Sequence, residues 1–264
     1  MDVRDLLIGG LSGAVSRTIT APIELARIQK QNKFMPSSNL YSVINKEGFF
    51  GLWKGNFTNC LRIFPQNAIN FAIYSTLSEN QIINDTIKNK TIINFYSGAI
   101  SGMTAMITTY PLENARSRLS LQDNKNHYNN LYDVFRKTHI KDLYRGIRMS
   151  IIGFTPYTAL NFMFYNEYKN IFNNKYNSLL SGGLAGVSAL TITYPTDLIR
   201  RRLQLQGFDP NVPVYNGIID CFKKIVKSEG ILGLYKGLGY SYMKSFPSVA
   251  VQFWCIETIK NNFI

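Results

Sequence analysis

The chain has 264 residues, 45% of them hydrophobic, and its 29 Lys and Arg against 16 Asp and Glu leave a formal charge of +13. That length holds one large or two ordinary domains, and that charge selects anionic partners: nucleic acid, acidic lipid or phosphorylated metabolites. Three cysteines without paired spacing (Cys60, Cys221, Cys255) and two histidines in a polar stretch (His127, His139) argue against a disulfide framework and a Cys/His metal site.

The N-terminal stretch MDVRDLLIGGLSGAVSRTITAP has one basic residue before its apolar run and no A-x-A-like cleavage site, so it reads as part of the mature structure. An apolar helix is expected there, ending in TAPIELARIQKQ. The box EGFFGLWKG, Glu47 to Gly55, follows, and then a second apolar segment, CLRIFPQNAINF. Residues 91–112 carry no charge and lead into TYPLENARSRLS; the amphipathic piece LYDVFRKTHI, a shortened box KDLYRG and the apolar IIGFTPYTALNF come after it. Residues 176–196 are again uncharged and lead into TYPTDLIRRRLQ, then IIDCFKKIVKSEG, the box EGILGLYKG and YMKSFPSVAVQF. Residues 91–112, 149–166 and 176–196 are long enough as helices to cross ~30 Å of hydrocarbon. The mean hydropathy of −0.07 is low for such a protein and fits helices that line a water-filled space.

These segments are one pattern read three times. Pro22, Pro111 and Pro195 are each followed by an acid two residues on (Glu24, Glu113, Asp197) and by an arginine five residues on (Arg27, Arg116, Arg200). Two glycines precede each proline at fixed distances (Gly9 and Gly13, Gly98 and Gly102, Gly182 and Gly186), and Pro65, Pro156 and Pro247 recur in the later apolar segments. One such acid and base could be a solvated i, i+3 pair at a helix end. Three in register beside apolar spans can satisfy one another in a ring, because an unpaired charge at the end of a spanning helix costs several kcal/mol.

The residues above resemble the signature of the mitochondrial carrier family over about residues 5–262. Pro-x-[Asp/Glu]-x-x-[Lys/Arg] is intact three times, and the glycine box is intact in the first and third copies. The resemblance implies an all-α membrane protein of six transmembrane helices in three pseudosymmetric repeats (4–82, 90–172 and 175–262), with short amphipathic helices on the matrix side. It implies the inner mitochondrial membrane, both termini toward the intermembrane space, a monomer, cardiolipin at the glycine boxes, no cofactor and a site reached alternately from either side. It further implies a matrix gate in which Glu24 pairs with Arg116, Glu113 with Arg200 and Asp197 with Arg27, the prolines bending the helix ends inward. Gln31 and Gln204 match the family's glutamine braces, whereas Ser120 stands at the third place.

Arg17, Arg62 and Lys244 lie inside apolar segments, and Gly153 occupies the depth of Arg62 and Lys244 in the middle copy. Bases at one end and a glycine at the other suit a ligand with an anionic group and a flat one. In the family this pattern resembles adenine-nucleotide-type carriers, including ADP/ATP, ATP-Mg/phosphate and coenzyme A carriers, and makes these residues the substrate contacts. Phe154 and Tyr157 are placed to stack on a base, worth ~1–3 kcal/mol. RRRLQL stands where ADP/ATP carriers have RRRMMM, which argues against strict ADP/ATP exchange. On the even-numbered helices only Lys169 and Glu257 can form a pair of the family's cytoplasmic gate; Ser75, Ser78 and Asn166 carry no charge, which leaves Lys260 without its expected acid.

The expected function is thus alternating-access exchange of nucleotides or nucleotide-like phosphorylated metabolites, with no enzyme chemistry. Two alternatives stay open: a proton or anion leak pathway in the same fold, and deoxynucleotide transport in an AT-rich protist or a large DNA virus. The long uncharged runs exclude a basic nucleic-acid-binding repeat protein.

Overall fold

The computed structural model describes residues 3–32, 40–80, 89–122, 128–172, 177–207 and 212–263; His127 and the outermost residues of the expected first and third repeats lie outside them. Helix α1 (Val3–Gln31) is followed by α2 (Leu40–Glu47), a 3-10 turn (Phe49–Trp53) and α3 (Asn56–Ser78). The middle copy holds α4 (Lys90–Leu121), α5 (Leu131–Lys137), α6 (Ile140–Leu143) and α7 (Ile147–Ile171). The last holds α8 (Asn177–Leu205), α9 (Ile218–Glu229), a 3-10 turn (Ile231–Tyr235) and α10 (Leu238–Phe263). The described residues include no strand. The tightest packing is between copies rather than within them: α3 lies on α4, α7 on α8, and α10 returns to α1. The six long helices therefore close into a ring.

Local chemistry explains the boundaries. Asn89 caps α4 by accepting the Thr91 N–H at 3.0 Å. Each later long helix starts at the last glycine of its box, where φ is positive: Gly55 at 77°, Gly146 at 85° and Gly237 at 88°. A Cβ on Gly146 would also lie 2.9 Å from the Arg200 carbonyl oxygen, so conformation and space both demand glycine there. Pro22, Pro111 and Pro195 sit inside helices that run on past them. Pro22 cannot donate to the Thr18 carbonyl, and the Trp53 indole N–H does so instead at 2.8 Å.

The packed core lies at the end of the ring that carries the short helices. Ile28, Ala115, Val134, Leu143 and Leu205 form one cluster there, and Tyr194, Leu198, Cys221, Ile225 and Leu234 another. Burial of each large aliphatic side chain contributes about 1.5–3 kcal/mol. Away from that end, Leu11, Val15, Ile19, Ile107, Ile192 and Trp254 point outward and are exposed.

Among the described residues no helix is long and apolar enough to cross a membrane. The uncharged runs therefore do not by themselves establish membrane spans. Uncharged is not apolar: residues 91–112 and 176–196 are rich in Ser, Thr, Gly, Asn and Tyr, and Ser97, Ser101, Thr109, Ser181 and Thr193 face inward and are buried. A correction concerns the middle box. It is substituted, not shortened, with Thr138 at the place of Glu47 and Glu229.

The acids of the intact boxes hold the ring's rim. Glu47 accepts from Lys54 at 2.6 and 2.7 Å. Glu229 accepts both arms of Arg202 at 2.6 and 2.9 Å, and Lys236 at 2.6 Å. Burial pushes the Glu229 carboxyl up, but the bonds from Arg202 and Lys236 outweigh it and hold it below the ordinary carboxylate range. A depressed folded value means stability present above the unfolded value of about 4.3 and lost as pH falls through the folded one. Glu229→Gln should therefore lower the thermal midpoint of the detergent-solubilised protein at pH 7. The gap from wild type should close on acidification; a constant gap would place the effect in packing.

Candidate functional site

Three helices, α1, α4 and α8, each deliver one acid and one arginine to the core end of the ring. Arg27 Nη2 lies 2.6 Å from Asp197 Oδ2, Arg116 Nη2 lies 3.4 Å from Glu24 Oε1, and Arg200 pairs with Glu113. All three contacts join neighbouring copies, so the structure brings together each pair that the family resemblance implied. The side chains are almost withdrawn from solvent: Glu24 is 4% exposed and Glu113 6%. Carboxylates this deep persist as charges only when paired and hydrogen-bonded.

The ring holds more cations than the three pairs require. Arg201 Nη2 is 3.7 Å from Glu24 Oε1 and 3.6 Å from Glu113 Oε1, and its Nη1 donates to Ser117 Oγ at 2.9 Å. Sequence reading passed over Arg201, because the other two copies have Ile28 and Ser117 at its place. The only signal was that lack of a counterpart. Lys244 Nζ lies 2.9 Å from Glu24 Oε2, and Arg62 Nη1 lies 3.3 Å from Glu113 Oε2. The two bases expected to meet a ligand are thus tied to the acids expected to close the gate.

Arg17 differs from them. Its Nη1 donates to the neutral Asn59 Oδ1 at 3.0 Å, and it makes no ion pair among the described residues. Arg17, Arg62 and Lys244 border a polar cavity of about 280 Å³, where six cationic side chains face two carboxylates. Arg27, Arg62, Arg200 and Arg201 each keep a buried Nε–H without a protein acceptor. The surplus of cations around the polar cavity suits a multiply charged anion.

A smaller cavity of about 200 Å³ adjoins Asp197 and Arg200, bordered by Met106, Gly153, Phe154, Tyr157 and Thr196. Gly153 is buried, and a Cβ on it would lie 2.5 Å from Thr196 Oγ1. Its first role is therefore to let α7 approach α8. The Phe154 ring seats on α4, with Cζ 2.8 Å from where a Gly102 Cβ would be. Phe154 and Tyr157 are brought together at the cavity wall, with Phe154 anchored edgewise in a glycine notch. Lys169 and Glu257, at the other end of the bundle, are both exposed, and no ion pair joins them.

Sequence comparisons agree with this geometry. A family model described as mitochondrial carrier protein matches residues 2–84, 88–176 and 173–264. Mitochondrial substrate carrier family protein P of Dictyostelium discoideum is 34% identical over 97% of this chain and 93% of its own length. Mitochondrial adenine nucleotide transporter ADNT1 of Arabidopsis thaliana is 35% identical, over 98% of this chain and 86% of its own. Mitochondrial coenzyme A transporter SLC25A42 of Danio rerio is 32% identical, over 97% and 85%.

Proposed function

Because this chain belongs to the mitochondrial carrier family, a family of membrane transporters rather than enzymes, we propose that it exchanges nucleotides or nucleotide-like phosphorylated metabolites across the inner mitochondrial membrane. The observation that carries this reading is the cavity in which six cations face two carboxylates. A polyphosphate or a coenzyme A head supplies the several negative charges that such a surplus calls for. The adjoining wall of Met106, Phe154 and Tyr157 suits the flat base, and relatives named for adenine nucleotides and coenzyme A support the same chemistry.

In this reading Arg17, Arg62 and Lys244 take the phosphates, and Gly153, Phe154 and Tyr157 take the base. The ring of Glu24, Arg27, Glu113, Arg116, Asp197 and Arg200, braced by Gln31 and Gln204, is the matrix gate, closed in this structure. Lys169 and Glu257, unpaired here, meet when the cytoplasmic side closes. The outward Leu, Val, Ile and Trp side chains face lipid and the polar inner faces line the path, which reconciles spanning helices with their modest hydropathy. Both termini then face the intermembrane space, and a monomer suffices. A cavity of about 710 Å³ beside Lys54, Gly55, Phe57, Leu119 and Phe135 fits cardiolipin, with a phosphate at the free N–H groups that open α3 and acyl chains on the apolar side chains.

The test is reconstitution of the full chain into liposomes loaded with ADP, ATP, deoxynucleotides, coenzyme A or nothing. Labelled uptake is expected only into vesicles holding a counter-substrate. Equal flux into empty vesicles would replace exchange by a leak, and no uptake of any of these probes would overturn the cargo assignment.

A further inference from the structure

The three seams of the ring are not equivalent. At the α8/α1 seam the Tyr194 hydroxyl donates to the Lys236 carbonyl at 2.9 Å and accepts from Gln31 Nε2 at 2.9 Å. Gln31 Nε2 also lies 3.2 Å from Asp197 Oδ2, which couples it to the ion pair. At the α4/α8 seam the Tyr110 hydroxyl donates to the Arg145 carbonyl at 3.0 Å and accepts from Gln204 Nε2 at 3.0 Å. Tyr144 stacks on Tyr110 and Tyr235 on Tyr194, at interplanar angles of 14° and 13°. Each tyrosine directly precedes its proline, and each glutamine lies at the same distance after one.

At the α1/α4 seam both members are missing, and they are partners. Ala21 stands where the tyrosine would be and Ser120 where the glutamine would be. Ser120 Oγ lies 3.1 Å from the Lys54 carbonyl, taking over the tyrosine's bond to the box, but no side chain runs from it to α1. Trp53, with no tyrosine to stack on, reaches the Thr18 carbonyl instead. What holds this seam is charge: Arg116 at 3.4 Å from Glu24, an acid that also has Lys244, Arg27 and Arg201 within 2.9, 3.5 and 3.7 Å.

We propose that Tyr110 and Tyr194 are positioning residues that fix the two brace glutamines, and that the unbraced α1/α4 seam is where the ring parts first. The inference rests on reading the ring as the gate. Its physical basis is that an entering anion competes for Lys244 and Arg116 and so draws counterions away from Glu24. It does not compete for the neutral tyrosine–glutamine bonds of the other seams. At α8/α1 Asp197 has a single cation in ion-pair range among the described residues and a brace, and at α4/α8 Glu113 shares three cations but the Tyr110–Gln204 bridge spans the seam as well.

The test uses the full-length protein in two double-mutant cycles. Ala21→Tyr combined with Ser120→Gln should supply the third brace. It should raise the thermal midpoint in detergent and slow ADP or coenzyme A exchange by about fivefold or more beyond the product of the single changes, the scale for residues in direct contact. In the second cycle Tyr194→Phe and Gln31→Ala should each lower the midpoint, and their combination should cost little more than either alone. Additivity in both cycles would overturn the brace. Coupling in the second cycle with a slowed Ala21→Tyr single variant and no further effect of Ser120→Gln would keep the positioning role and overturn the seam order. A wild type that carries neither probe would sink the cargo assignment, while the midpoint cycles would still decide the brace.

Discussion

Arg116→Glu should abolish uptake, and adding Glu24→Arg should fail to restore it, whereas the corresponding swap of Arg27 and Asp197 should recover transport. In the single variant two carboxylates face each other across the 3.4 Å contact in a pocket nearly closed to solvent. Like charges about 4 Å apart repel by roughly 4 kcal/mol at the effective dielectric of such sites, about a thousandfold in any equilibrium they control. The swap does not cure this, because position 24 is not a private partner of 116. An arginine there would meet Lys244, Arg27 and Arg201, whose present distances to Glu24 are 2.9, 3.5 and 3.7 Å. Asp197 has a single cation, Arg27, in ion-pair range among the described residues. In Arg27→Asp with Asp197→Arg the pair is reversed, and Glu24 loses Arg27 but keeps Lys244, Arg116 and Arg201. Gln31 can turn its amide to present Oε1, now buried without a partner, to the new cation. Uptake within about tenfold of wild type is expected for that double variant, because a reversed ion pair retains most of its Coulomb term. Equal recovery at both seams would mean that Glu24 is not shared among Arg116, Lys244, Arg27 and Arg201.

The threefold frame was legible because its signals are local. A proline, an acid and an arginine at fixed spacing on each of three helices can be counted along the chain, and so can the amphipathic pieces behind α5 and α9. That these charges meet in a ring followed from the frame; which acid meets which arginine came from the resemblance to the carrier family, and the structure has the same three pairs. Features set by a single side chain reaching across the ring were not legible. Arg201 is the middle of three consecutive arginines, and only the close approach of α1, α4 and α8 shows that it bridges Glu24 and Glu113. The pairing of Lys244 and Arg62 with the same two acids joins residues far apart in sequence. Gly153 marked a gap at cavity depth, but only the structure shows that Thr196 Oγ1 closes on it from α8 at the edge of the smaller cavity. The low mean hydropathy fits the same picture, since it averages helices that are polar on the inner face and apolar outside.

Removing the cavity's bases should separate their two kinds of work. Arg62→Ala, Lys244→Ala and Arg17→Ala should each weaken uptake by about an order of magnitude or more, since a charge-assisted contact contributes ~1.5–3 kcal/mol. The kinetic form should differ. Arg17 is bonded to the neutral Asn59 at 3.0 Å, so its loss removes a ligand contact and leaves every ring acid with its present partners. Arg17→Ala should raise KM and leave the maximal rate close to wild type, the mark of an interaction made equally in ground and transition states. Lys244 and Arg62 hold Glu24 and Glu113 at 2.9 and 3.3 Å, so the anion must exchange places with those carboxylates as it binds. Without either base that exchange is lost, and the ring no longer feels the cargo. Lys244→Ala and Arg62→Ala should therefore lower the maximal rate as well as raise KM, and added salt should not restore the rate. Initial rates of counter-exchange in liposomes across a range of external substrate would show the split. A pure KM effect in all three variants would mean that the bases bind cargo without passing its arrival to the ring, and the ring would then have to open by a route that does not run through Glu24 and Glu113.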